Sequence, residues 1–193
     1  IATTRVKTKA FGIFAQADIE VASKLTLTAG LRYSYEKKKG FVTFFGGPFT
    51  NFANPNWDSF TPRVGLRYAI DGRSNIYATF SKGFKSGILP ILTAGAPVNP
   101  EKVTAYEVGY KTAQPGYSLN LAAYYYDYKD LQIQSFTGTT IIPTNAASAK
   151  IFGIEFDGTA ELSSSLSARL GVSWMPKADF SSFPNAAGYQ AVV

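Results

Sequence analysis

The sequence predicts an all-β fold, an antiparallel up-and-down transmembrane β-barrel, and three observations carry that prediction. Oily and polar side chains alternate along almost the whole chain, the two-residue period of a strand with unlike faces. The alternating runs extend over about 9 to 15 residues, enough for a tilted strand to cross a bilayer and beyond the five or six of an ordinary globular strand. Connections are short and long by turns, so every short one falls at the same end of the sheet, as in barrels with tight turns on one side of the membrane and longer loops on the other. On this reading the 193 residues, 1–193, are part of one barrel domain and supply about eight strands.

The elements follow in chain order. In FGIFAQADIEVAS, Phe11, Ile13, Ile19 and Val21 alternate with Gly12, Gln16, Asp18 and Glu20 to give the first strand. A break at Ser23 and Lys24 returns it into LTLTAGLRYSY, where Leu25, Leu27, Leu31, Tyr33 and Tyr35 oppose Thr26, Thr28 and Arg32. FTPRVGLRYAI sets Val64, Leu66 and Tyr68 against Arg63, Gly65 and Arg67, and the turn DGRS leads into NIYATFSKGF. VTAYEVGYK, a turn at Gln114 to Gly116, and YSLNLAAYYYDYKDLQI form a third hairpin; KIFGIEFDGTAEL and LSARLGVSW form the fourth, around Ser163 to Ser165. The long connections are expected near residues 37–57, 83–101, 137–146 and from 176 onward.

Face chemistry separates a membrane wall from a soluble sandwich. One face of the strands carries Arg63, Arg67, Glu107, Lys111, Glu155, Asp157, Glu161 and Arg169 among small residues, which suits a wet lumen where charges stay solvated or pair across strands. The other carries Phe152, Ile154 and Phe156, expected to meet lipid, with rings at Tyr33, Tyr35, Trp57, Tyr68, Tyr125 and Trp174 expected at its loop-end margin.

Composition excludes several chemistries. There are no cysteines and no histidines, so neither disulfides nor thiolate or imidazole metal ligands are available, and no metal site or cofactor is expected. The lumen carboxylates lack a nucleophile constellation, so they are read as structural charges and the chain as no enzyme. A net charge of +6 favours anions, yet the basic residues are scattered through alternating strands, which argues against nucleic acid.

The ordered set FTPRVGLRYAIDGRSNIYATFSKGFKSG, VNPEKVTAYEVGYKT, LNLAAYYYDYKDLQI and NAASAKIFGIEFDGTAEL resembles the C-terminal barrel of TonB-dependent outer-membrane receptors over most of residues 11–175. The resemblance implies a bacterial outer-membrane location and a 22-stranded barrel with an N-terminal plug. It implies a receptor that binds a scarce ligand, such as a ferric siderophore, and imports it with energy passed on by TonB. No plug or TonB box precedes Ile1, and the AVV ending does not resemble the family's aromatic last strand, so the expectation is an internal barrel fragment whose TonB contact lies in the missing N-terminal region. A passive porin and a soluble carbohydrate-binding β-sandwich are the competing readings.

Candidate ligand contacts lie in the long connections. They are Lys37, Lys38 and Lys39 of the basic run EKKKG, the rings Phe44, Phe45, Phe49, Phe52 and Trp57, and Lys82, Phe84 and Lys85 after the fourth strand. Rings offer stacking surface and lysines attract anions, either a ligand or lipopolysaccharide phosphates in the surrounding outer-membrane lipid.

Overall fold

The structure is a computed structural model that describes residues 2–90, 96–136, 141–145 and 148–181. Its strands are β1 (Ala2–Ala22), β2 (Leu25–Phe44), β3 (Thr50–Ala53), β4 (Asn56–Ala69), β5 (Ser74–Lys85), β6 (Glu101–Gln114), β7 (Tyr117–Lys129), β8 (Gln132–Phe136), β9 (Ile141–Asn145), β10 (Ser148–Ser163) and β11 (Leu166–Ser181). The long strands form one antiparallel sheet in the order β1-β2-β4-β5-β6-β7-β10-β11. Each pairs with its neighbour in the chain apart from the short accessory strands: β3 adds to the upper end of β2, and β8 pairs with β9. This is the up-and-down order the alternation predicted. The barrel is not closed within this segment.

Several expected boundaries move. β2 runs on through the basic stretch to Phe44, β3 and the start of β4 occupy 50–53 and 56–57, β5 reaches Lys85 and so includes Lys82, Phe84 and Lys85, and β11 reaches Ser181, so residues 37–44, 50–53, 56–57, 83–85 and 176–181 are strand and not loop. Of the other expected connections, residues 91–95, 137–140, 146–147 and 182–193, including the AVV ending, lie outside the described residues.

Register carries one face across the whole sheet. Ile19, Leu27, Leu66, Ala78, Val108, Ala123 and Ile154 stand opposite one another in a continuous row from β1 to β10. On the other face a parallel row runs Asp18, Thr28, Gly65, Thr79, Glu107, Tyr124 and Gly153. Among the described residues nothing covers the apolar face: Phe11, Ile13, Ile19, Leu31, Val64, Leu66, Ile76, Val108, Leu121 and Leu170 remain 42–60% exposed. Half-exposing ten such side chains in water would leave roughly 7–15 kcal/mol of burial unrealised, as much as the whole net stability of an ordinary domain. Lipid removes that cost, and a sandwich would have needed a second sheet over this face.

The apolar band also slants. On β2 it spans Leu25 to Tyr35, whereas the row through Ala29 arrives at Phe152, the top of the band on β10, and the row through Leu25 arrives at Phe156, with the band continuing to Leu162. Both edges thus shift by six residues, about 20 Å, across five strand spacings, about 24 Å. The strands are therefore tilted about 40° from the membrane normal, within the range for barrel strands.

Rings mark both margins of this band. Tyr33 meets Phe60 with centroids 4.9 Å apart, and Phe80, Tyr106 and Tyr125 follow one another at 5.4 and 6.4 Å along the upper margin. Two expected rim rings sit elsewhere. Tyr68 pairs with Leu25 beside the short turns, so it marks the opposite margin, and Trp57 pairs with Glu36 on the inner face. β4 begins at Asn56, before the Phe60 at which the sequence predicts the strand, and within it Trp57 has the parity of Arg63 and Arg67 and not of Tyr68.

Candidate functional site

Above the apolar band the inner face of β2 becomes a packing surface. Lys38 Nζ lies 3.1 Å from the Glu36 carboxylate, donates to the Gly87 carbonyl at 2.8 Å, and stands 5.6 Å from the centre of the Trp57 ring. Ser86 Oγ donates to the same Glu36 carboxylate. Burial raises the Glu36 pKa, but the hydrogen bonds from Ser86 and Lys38 outweigh it and hold the carboxyl below its usual range. The two side chains keep only 18% and 24% of their exposure, so this ion pair is largely shielded from solvent screening.

The segment after β5 folds down onto these groups. Gly87 lies against the Trp57 ring, and Phe52 and Leu89 press on Gly40, whose missing side chain leaves them room. Leu89, Val98 and Val42 are buried, forming the small core of the mouth. Beneath the segment, Arg32, Ser34, Glu36, Phe84 and Ser86 border a recess of about 360 Å³, at the small end of ligand-sized cavities.

A polar knot ties the neighbouring strand ends to this cap. Gln132 donates its backbone N–H to Glu101 at 2.9 Å and its side-chain amide to the carbonyls of Ser86 and Asn99 at 2.9 and 3.0 Å. Asn145 donates to Asn99 and Asp130 carbonyls at 3.0 and 2.7 Å. Lys85 adds an ion pair to Glu101 at 3.7 Å. These residues escaped the sequence reading because single amides between hydrophobic runs carry no periodic signal.

Apart from Lys85, held on Glu101, the structure divides the predicted contacts into three groups. Lys38, Phe52 and Trp57 come together at the inner mouth, and Phe84, opposite Lys102 with the parity of Lys82, borders the recess beside Glu36 and Ser86. Phe44 and Phe45 project at the tip of the β2–β3 hairpin, Phe45 88% exposed with φ +52, and Phe49 packs beneath Arg5 at 4.6 Å. Lys37, Lys39 and Lys82 share the parity of the lipid face, opposite Lys9, Lys7 and Thr104. Three consecutive lysines cannot all face one ligand when they lie in a strand.

Lower on the inner wall, Tyr77 donates its hydroxyl to Glu107 at 2.6 Å and Lys111 stands 5.0 Å from its ring centre. The ring lies across Gly109, and that of Tyr124 across Gly153; a Cβ at either glycine would come within 2.5 Å of its ring. Tyr124 stacks on Tyr126 at 4.7 Å, and Tyr128 follows edge-on at 6.3 Å, so a tyrosine ladder climbs the wall toward the mouth. Arg169 pairs with Asp157 at 3.0 Å and Arg67 donates to Thr26 at 3.1 Å. Arg63, Glu155 and Glu161 share the same face through their register with Gly30, Ala122 and Ser167.

A long-strand wall with a lipid face, a charged inner face and a folded mouth matches the family model for the TonB-dependent receptor-like β-barrel over residues 1–192. The chain belongs to the TonB-dependent receptor family. It is 25% identical over 143 residues to the pesticin receptors of Yersinia enterocolitica and Yersinia pestis, a match covering 71% of this chain and 21% of those proteins. The chain thus spans about a fifth of the length of the curated relatives it matches. Among solved structures it resembles the ferric yersiniabactin uptake receptor FyuA of Yersinia pestis, with TM-score 0.78 and 20% identity over 93% of this chain and 28% of that one. It also resembles the alcaligin outer-membrane receptor FauA of Bordetella pertussis, with TM-score 0.62 and 22% identity over 93% and 32%. At these identities the structural likeness speaks to the fold alone. Family membership places the chain in the outer membrane, among receptors and not enzymes.

Proposed function

We propose that this barrel segment belongs to an energised importer of a ferric siderophore or a comparable scarce chelate, drawing on TonB through a region outside this chain. The observation that carries the reading is the family match over residues 1–192, with Lys38, Phe52 and Trp57 gathered over the inner mouth. Relatives named as pesticin, ferric yersiniabactin and alcaligin receptors support the ligand class. The chemistry of the chain agrees. With no histidine, no cysteine and one methionine, it offers few soft or imidazole donors to a bare metal ion, whereas a chelate brings its own donors and presents rings and anionic edges to stack and pair.

The test is uptake of iron-55 from a panel of ferric siderophores in cells carrying the full receptor, with and without TonB. Uptake that depends on TonB, and falls when Phe44, Phe45 and Trp57 are replaced by alanine while barrel assembly stays intact, supports the reading. Uptake indifferent to TonB would make the protein a passive pore. Undiminished uptake in the triple variant would move the ligand to other loops or to the plug.

A further inference from the structure

In the β1–β2 ladder Lys9 stands directly opposite Lys37, and Lys7 directly opposite Lys39, all four with the parity of Phe11, Ile13 and Tyr35 on the outer face. Like charges placed opposite one another across a ladder destabilise it, so two successive pairs need an external counter-charge. Among the described residues none of the four has an ion pair. The nearest carboxylate on that face is Asp58, opposite Tyr35 one row below Lys37, while Glu36 points inward and is engaged by Lys38 and Ser86. Arg5 extends the patch upward, held over Phe49, and the Lys7 ammonium lies 5.6 Å from the Phe41 ring centre.

Height identifies the occupant. The Lys9–Lys37 pair is the next outward row above Phe11 and Tyr35, where the apolar band ends on these strands. That is headgroup level, with the acyl region immediately below. Around β10 the same outer level neutralises itself: Asp127 stands between Thr104 and Lys150, Lys150 opposite Asp179, and Lys177 lies 3.2 Å from Asp179. One like pair, Lys102 opposite Lys129, recurs on β6 and β7 with Asp127 on the row beneath it. The β1–β2 patch is the larger block, two successive lysine pairs and Arg5 with every carboxylate of β1 and β2 on the other face, and it faces away from the lumen and so away from any cargo.

We propose that Arg5, Lys7, Lys9, Lys37 and Lys39 bind the phosphate groups of lipopolysaccharide in the outer leaflet, with its acyl chains lying against the apolar face below. The site rests on the membrane reading given above. A single phospholipid phosphate would leave most of this charge uncompensated, whereas a bis-phosphorylated glycolipid headgroup supplies several anionic oxygens across the width of two strands.

The full receptor, reconstituted in phosphatidylcholine nanodiscs, is titrated with bis-phosphorylated lipid A and, separately, with the dephosphorylated lipid. Changing Lys7, Lys9, Lys37 and Lys39 together to Gln is expected to weaken retention of the phosphorylated lipid at least about tenfold and to leave the dephosphorylated one within about twofold. The pair Lys9→Gln and Lys37→Gln serves if the fourfold variant does not assemble, with a smaller loss in the same direction. Lys150 and Lys177, which sit among Asp127 and Asp179 at the same level, changed to Gln form the control and should leave retention within about twofold. Equal retention by the lysine variants, equal retention of both lipids, or an equal loss in the control would overturn the site alone. A receptor that does not enter the bilayer at all would overturn the membrane reading and the site with it.

Discussion

The lower and upper halves of β2 obey one alternation and live in different surroundings. From Leu25 to Tyr35 the odd positions meet lipid and the even ones a wet lumen; from Glu36 to Val42 the odd positions are Lys37 and Lys39 at headgroup level with Phe41 above them, and the even ones are packed beneath the segment after β5. Parity therefore reports which face a side chain takes. Height along the strand, set by the tilt, reports the solvent waiting there. An outward lysine and an outward leucine six residues apart are both correct for their positions, because the bilayer ends between them.

The strongest way to break this comparison is to exchange the two outward chemistries. Leu31→Arg sits near the middle of the band on β2 and should cost about 2–4 kcal/mol, while Lys39→Leu, above the band, should fall within about 0.5 kcal/mol of the native protein. Refolding titrations of the full barrel into lipid vesicles measure both, and equal costs would mean that the band does not end at Tyr35.

A smaller effect sharpens the contrast on the inner wall, where small residues make room for rings. Gly109→Val should cost about 1–3 kcal/mol, because the Tyr77 ring must leave its place and its hydrogen bond to Glu107 is lost. The same titration in a Tyr77→Ala background should show the penalty largely relieved. A penalty that persists there would assign it to the glycine backbone and not to the ring.

The smallest effect concerns the mouth and depends on pH. The Glu36 carboxyl has a lowered pKa in the folded protein, so the stability it contributes is fully present above the unfolded value of about 4.3 and is lost as pH falls through the folded value. The cap over β2 should therefore loosen in acid before the sheet does. Trp57 fluorescence, read in a Trp174→Phe background, should change at a higher pH than strand circular dichroism, and Glu36→Gln should abolish that early step. Coincident transitions in the native protein would show that the ion pair does not hold the cap.

Much of the wall was legible in advance because the bilayer and the lumen impose a period of two, and a period survives in a sequence without knowledge of any distant contact. The four hairpins, the lipid face through Phe152, Ile154 and Phe156, and the charged face from Arg63 to Arg169 follow from that period. The placement of Trp57 did not, since one ring says nothing of its parity unless the strand is known to continue past it. Nor did the splitting of Lys37, Lys38 and Lys39, because a lysine run at the end of a hairpin reads as loop until β1 is seen to pair with it as far as Phe44.

By itself, the sequence determined the fold class, the two faces of each strand and the end at which the short turns gather, all consequences of local alternation and turn chemistry. The tertiary structure decided the register between strands, and with it the tilt, the height of each residue in the membrane, the opposition of Lys7 and Lys9 to Lys39 and Lys37, and the descent of Ser86 and Gly87 onto Glu36 and Lys38. Those are relations between residues distant along the chain. Register fixes them through backbone hydrogen bonds between whole strands, and no single strand contains the information about which rows of its neighbour it will meet.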